Sequence, residues 1–317
     1  MALVVLCSGM LMIVLDATVV NVALPSIQND LGFPASSLAW VVNAYLIAFG
    51  GLLLLAGRLG DLLGRRNVFL AGLGVFTGAS LLCGLAQSQS QLVGARFVQG
   101  VGGALTSAVI LGMIVTMFTE PHEQAKAIGI YAFVASAGGA LGLLAGGVLT
   151  QLISWHWIFL VNVPVGIATA VLAQRVIKRD AGLGPGTGAH VPGALPPAGA
   201  LLLGVTVSGM LMALNQLRDL GWWCAAAAIV TVVSAVLFTR RQLRIAQPII
   251  DLRFFRAPDF ALVNAAPAAL NLAGFSIMLL LPVYLDRLGG LSVSFTVIVL
   301  ASSPLGIRLA APLAGRL

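Results

Sequence analysis

Charge is what this sequence lacks most: Asp, Glu, Lys and Arg make up 9% of its 317 residues, against about 25% in an ordinary soluble domain. A solvated surface cannot be built from so few charges. Cysteine is also scarce. Cys7, Cys83 and Cys224 all fall in or beside apolar stretches, and an odd number without paired spacing implies small packing residues and no disulfide framework. The histidines, His122, His156 and His190, lie on separate connecting segments. With no HExxH, no Cys/His metal spacing and no P-loop, the sequence offers no metal site, no cofactor and no ATP site, and it does not read as an enzyme.

What the chain has is apolar length, since 59% of its residues are hydrophobic. A spanning helix needs about 20 mainly apolar residues, because the hydrocarbon core is about 30 Å thick and each residue rises about 1.5 Å. Such runs fall at 3–27, 38–59, 67–86, 92–118, 125–150, 154–174, 197–217, 222–239, 260–285 and 292–317, which makes about ten spans. Barrel strands would alternate apolar and polar residues, whereas Leu52-Leu53-Leu54-Leu55 is continuous. The fold class is therefore all-α integral membrane. The first run lacks a basic n-region and a small-residue cleavage site, so it counts as helix 1 and not as a signal peptide.

The net charge of +7 would suit nucleic acid, but its placement points to the lipid bilayer as partner. Basic residues gather after spans 2, 4, 6, 8 and 10: Arg58, Arg65, Arg66; Lys126; Arg175, Lys178, Arg179; Arg240, Arg241, Arg244, Arg253, Arg256; and Arg316. The opposite side has Arg218 and Arg287, while Arg96 and Arg308 fall inside spans. The positive-inside rule puts the N-terminus and the even connections in the cytoplasm, at the cell membrane.

Two connections are long. Residues 180–196, rich in Gly and Pro, read as a linker, and 240–258 is basic, its PIIDLRFFR segment suiting either the headgroup boundary or an ordinary loop. Leu55-Ala56-Gly57-Arg58-Leu59 recurs as Leu313-Ala314-Gly315-Arg316-Leu317, each copy leaving a span toward the same side, as a parallel duplication of two halves would give.

A carboxylate inside a span costs about 2.5–3.5 kcal/mol on insertion scales, which makes Asp16 a functional candidate; an acid paired for packing is the plainer reading. Thr18 and Asn21 share one side of that helix, whereas Asp16 and Asn21 are about 140° apart around its axis. Arg96, in span 4, lies at a similar depth to Asp16 and either partners it or snorkels to the interface. Gln99 is one turn from Arg96, and with Thr18, Asn21 and Asn43 it is a cavity-lining candidate. Between spans 2 and 3, Gly57 and Asp61 share a face next to Gly64, Arg65 and Arg66. An acid at a helix C-terminus opposes the macrodipole, so Asp61 should be held by a cation or by another helix N-terminus, and Arg65 and Arg66 are the local cations. In span 5, Gly138, Gly142 and Gly146, followed by Gly147, suit close helix packing.

The segments LDATVVNVALPSI (15–27), GRLGDLLGRR (57–66), RFVQGVGGA (96–104), SWHWIFLVNVPVG (154–166) and PIIDLRFFR (248–256) together resemble the major facilitator superfamily, specifically its fourteen-helix drug:proton antiporter branch, and the likeness covers essentially the whole chain. The resemblance implies a multidrug efflux transporter that exports a small hydrophobic or cationic substrate in exchange for protons. It further implies Asp16 as the proton-coupling acid with Arg96 as its basic partner, and Gly57, Asp61, Gly64, Arg65 and Arg66 as a cytoplasmic gating element. Leu143 stands where the branch's helix 5 motif has proline. The implied organisation is a six-helix bundle over 1–175, a linker over 176–196, two inserted helices and a basic loop over 197–257, and over 258–317 the first two helices of a second bundle, C-terminally truncated. An importer or facilitator of the same superfamily, or a non-transporting membrane fragment, are the alternatives.

Overall fold

In hydrocarbon the backbone has no water to bond, so every N–H and C=O must be satisfied inside its own segment, and long apolar runs become long helices. The computed structural model of the protein describes residues 1–177, 197–215 and 222–245, together with 254, 257–266, 269, 270 and 273. Among these residues there is no strand. The chain divides into two compact units, Met1–Ile249 and Ile250–Leu317.

In the first unit, α1 spans Ala2–Leu31 and contains Pro25. It runs past the expected end at 27 and closes on Gly32, whose φ of 65° and ψ of 35° suit glycine. The N–H groups of Gly32 and Phe33 both return to the Gln28 carbonyl. The single turn α2 (Ala35–Leu38) leads into α3 (Trp40–Leu63). Gly64, at φ 88°, turns the chain into α4 (Arg65–Gly84). A β-carbon would be strained there, which is the physical reason for a glycine in this tight connection.

α5 (Gln89–Met117) starts at Ser88, whose Oγ accepts the Gln91 N–H, while Gln91 Oε1 accepts the Gln87 N–H at 3.0 Å. This exchange resembles a capping box. α6 covers Pro121–Leu152, the short α7 covers Trp157–Leu160, and α8 covers Asn162–Val176. Pro164 lies in the first turn of α8, where its missing N–H has no helical partner to lose. α9 (Pro197–Asn215) and α10 (Trp222–Arg244) complete the unit.

Among the described residues, seven helical stretches are long and apolar enough to cross a membrane: Ala2–Leu31, Ser36–Leu63, Arg65–Gly84, Gln89–Met117, Pro121–Leu152, Trp157–Val176 and Cys224–Arg244. They make this an integral membrane protein. In the second unit 258–266 are helical, and Phe254 and Phe260 have ring centroids 5.7 Å apart. The rest of the two last expected spans, residues 178–196 of the expected 176–196 linker, most of the PIIDLRFFR segment and the second LAGRL copy lie outside the described residues.

Packing in the first unit sets α5 against α3 and α4, α1 against α6, and α8 against both α4 and α1, while α9 packs on α3 and α10 on α9. Glycine permits the closest approach: a β-carbon on Gly72 would lie 2.6 Å from the Thr106 nitrogen, and one on Gly102 would fall on the Phe76 backbone. Two apolar clusters fill the interior. One includes Met12, Ile13, Phe69, Phe76 and Ile110. The other includes Val19, Val20, Cys83, Leu92 and Phe159. A polar layer separates them along the helices, with Asp16 between Ile13 and Val19 on α1 and Ser80 between Phe76 and Cys83 on α4.

Candidate functional site

The polar layer is built from single side chains that four helices deliver to one point. Asp16 comes from the middle of α1, Arg96 and Gln99 from one turn of α5, Ser80 from α4, and Asn162 from the first residue of α8. Asp16 and Arg96 are each 1% exposed and Gln99 and Ser80 are fully buried. Arg96 Nη1 donates to Asp16 Oδ2 at 2.6 Å and to Gln99 Oε1 at 2.6 Å. Gln99 Nε2 donates to Asp16 Oδ1 at 2.7 Å and to Ser80 Oγ at 2.8 Å. Asn162 Nδ2 donates to Asp16 Oδ1 at 3.3 Å, and the Ser80 hydroxyl donates to the Phe76 carbonyl at 2.8 Å.

This is a closed arrangement. Both amide hydrogens of Gln99 are used, and its oxygen also accepts the Cys83 thiol at 3.6 Å. Arg96 Nε donates to the Val41 carbonyl on α3 at 3.0 Å, and the guanidinium lies over the Tyr45 ring. An unpaired charge at this depth would cost several kcal/mol or more, whereas a pair whose remaining positions are hydrogen-bonded is tolerated. The charged site therefore depends on all of its partners at once. Adding a proton to Asp16 leaves Arg96 buried without its counter-charge.

Of the residues anticipated here, Asp16, Arg96 and Gln99 are brought together, and Arg96 does not snorkel. The others are placed elsewhere. Thr18 is half-buried against α6, its Oγ1 bonded back to the Val14 and Leu15 carbonyls at 2.9 and 3.0 Å. Asn21 is exposed, bonded to the Ala17 carbonyl at 3.1 Å, as its angular separation from Asp16 requires. Asn43 is half-buried on α3 and takes no part in these hydrogen bonds. Sequence reasoning missed Ser80, Asn162, Tyr45 and the Val41 carbonyl. Gln99 was marked by its place one turn from Arg96; an amide within an apolar span is the signal that could have found Asn162, while Ser80 and a backbone carbonyl leave none.

A second Asp–Arg group lies at the α3–α4 connection. Arg65 Nη2 meets Asp61 Oδ1 at 3.1 Å, with side chains 27% and 49% exposed. Arg65 Nη1 donates to the Gly112 carbonyl of α5 at 2.7 Å. Arg66 donates from Nε to Ile177 at 2.7 Å and from Nη2 to Gln174 at 2.9 Å, both backbone carbonyls at the end of α8. A cation at a helix C-terminus offsets the macrodipole, as Arg66 does at the end of α8, while Arg65 ties the α3–α4 connection to the penultimate turn of α5. Gly57, one turn before Asp61, has open space where a β-carbon would be.

The α6 glycines face α1. A β-carbon on Gly138 would stand 3.0 Å from Leu11, one on Gly142 would fall on Thr18 Oγ1, and one on Gly146 would be 3.0 Å from the Val19 carbonyl, while Gly147 faces open space.

The family model of the Major Facilitator Superfamily matches residues 6–317. The cephamycin export protein CmcT of Amycolatopsis lactamdurans is 40% identical over 84% of this chain and 54% of its own length. The puromycin resistance protein pur8 of Streptomyces alboniger is 47% identical over 63% of this chain and 40% of its own. The methylenomycin A resistance protein of Bacillus subtilis is 34% identical over 92% and 61%. The chain thus spans about half the length of the curated relatives it matches. A bacterial homologue of the human lysosomal transporter Spinster, in an inward-facing and occupied conformation, matches with a TM-score of 0.50 at 18% identity, over 78% of this chain and 62% of that one, a likeness of fold. From the family match over nearly its whole length, this chain belongs to the Major Facilitator Superfamily.

Proposed function

We propose that the chain works in a secondary active transporter that exports amphipathic or cationic small molecules in exchange for protons, by alternating access between two helical bundles. The observation that carries this reading is the wholly buried Asp16–Arg96 pair, closed by Gln99 and Asn162. A proton can shift a conformational equilibrium only by binding one state better than the other. Protonating Asp16 cancels the buried pair and leaves Arg96 uncompensated, so the network favours one arrangement when charged and loses that preference when neutral. The names of relatives, cephamycin export and resistance to puromycin and methylenomycin A, support export of small molecules.

In this reading residues 1–175 form the first bundle, 176–196 the linker, 197–257 the inserted pair with its basic loop, and 258–317 belong to the second bundle. The N-terminus is cytoplasmic, Asp16 takes its proton from outside and releases it inside, and the Asp61, Arg65 and Arg66 group gates the cytoplasmic end.

Proteoliposomes bearing the protein, an imposed pH gradient and the lipophilic cation ethidium as probe test the coupling. Asp16→Asn should abolish gradient-driven ethidium movement while the purified protein keeps its helix content by circular dichroism. Undiminished gradient-driven movement would overturn the role of Asp16.

A further inference from the structure

Arg96 is held by more than its counter-ion. Its guanidinium carbon lies 4.3 Å from the centroid of the Tyr45 ring and 5.6 Å from that of Phe159, both inside the roughly 6 Å over which a ring face attracts a cation. Desolvation strengthens that attraction, and both rings and the arginine are buried. The rings are themselves braced. Phe49 stacks on Tyr45 at 5.7 Å and 17°. Trp155 meets Phe159 edge-on at 6.3 Å and 87°, and its indole N–H donates to Asp30 Oδ2 at 2.8 Å.

None of these contacts depends on the charge of Asp16. The Tyr45 hydroxyl is buried with no hydrogen-bond partner among the described residues, so what this tyrosine offers Arg96 is its ring face. The titratable groups around Asp16 are Arg96 from α5, Tyr45 from α3 and Cys83 from α4. α8 contributes the amide of Asn162, and α6 presents the glycines of its packing face to α1. No second cation or anion among these takes over when the pair is discharged.

We propose that Tyr45 and Phe159 are positioning residues, an aromatic clasp that keeps the Arg96 guanidinium in place when Asp16 is neutral. The Val41 carbonyl, which accepts from Nε, anchors the same group from the side. The clasp rests on the proton-coupling reading for its use: a retained cation stands ready to recapture Asp16 once the proton leaves. Without the rings, the neutral state would leave a buried charge with fewer contacts and the polar layer would loosen.

A double-mutant cycle on the full chain in detergent tests this by thermal unfolding, without transport. Tyr45→Leu should lower the melting temperature roughly twice as far in the Asp16→Asn background as in the wild type, because the ring then carries more of the cation. Equal or smaller loss in that background would overturn the clasp, since a ring that only fills space gives additive effects. Tyr45→Phe keeps the face and should show no background dependence; a greater loss in the Asp16→Asn background would assign the contact to the hydroxyl and overturn the proposal. Where Tyr45→Leu does not fold, Phe159→Leu makes the same comparison at the longer distance. It should show a smaller excess of the same sign, and additivity there would equally count against the clasp. The cycle reads stability and the Asp16→Asn proteoliposomes read coupling, so either reading can fail without the other.

Discussion

Among the described residues two Asp–Arg pairs form, and they differ in nearly everything except residue type. Asp16–Arg96 joins α1 to α5 across 80 positions, closes at 2.6 Å and is shut off from solvent. Asp61–Arg65 is one turn apart in sequence, spans 3.1 Å and keeps a quarter to a half of each side chain exposed. In the first pair each charge depends on the other, because neither forms an ion pair with a second group among the described residues. In the second, Arg65 divides its donors between Asp61 and the Gly112 carbonyl of α5, and its neighbour Arg66 bonds backbone carbonyls at the end of α8. Burial therefore decides what an Asp–Arg pair contributes, and the neighbouring helix ends decide what the arginine holds.

The largest effect should come from breaking the buried pair. Arg96→Met, with Asp16 left in place, should cost about 3–5 kcal/mol in denaturant unfolding, because it strands a carboxylate in the interior. A loss below 1 kcal/mol would mean that water reaches the polar layer and that the contrast between the pairs is false. Next comes a contrast within one helix. Gly142→Ala puts a methyl on Thr18 and should destabilise by about 1–3 kcal/mol, whereas Gly147→Ala meets open space and should be neutral or stabilising by up to about 1 kcal/mol through helix propensity. Equal effects by thermal unfolding would show that the α1–α6 approach is looser than described. The smallest effects sharpen the exposed pair: Asp61→Asn should cost less than about 1 kcal/mol, and Arg66→Met, which removes two charged hydrogen bonds to α8, about 1–2 kcal/mol. If Asp61→Asn proved the more costly, the ion pair and not the carbonyl contacts would be holding that turn.

Much of this was legible before any coordinates. Asp16 and Arg96 stood out because a charged side chain in an apolar span needs a partner at similar depth, and Gln99 followed from its place one turn from Arg96. The angular argument on α1 separated Asp16 from Asn21, and the four-residue spacing of Gly138, Gly142 and Gly146 marked a packing face. Thr18 illustrates where such reading stops: its position on the helix was readable, but its neighbour, α6 and not the polar layer, depends on how α1 is rotated in the bundle.

By itself, then, the sequence determined the helices, the solvent they require and the need for Asp16 and Arg96 to be compensated, since these follow from local hydrophobicity and from the cost of a charge in hydrocarbon. Only the tertiary structure decided which groups do the compensating. Asn162, Ser80, the Val41 carbonyl and the faces of Tyr45 and Phe159 converge from helices far apart in the chain. Their roles arise from helix rotation and close glycine contacts, which short-range pattern does not encode.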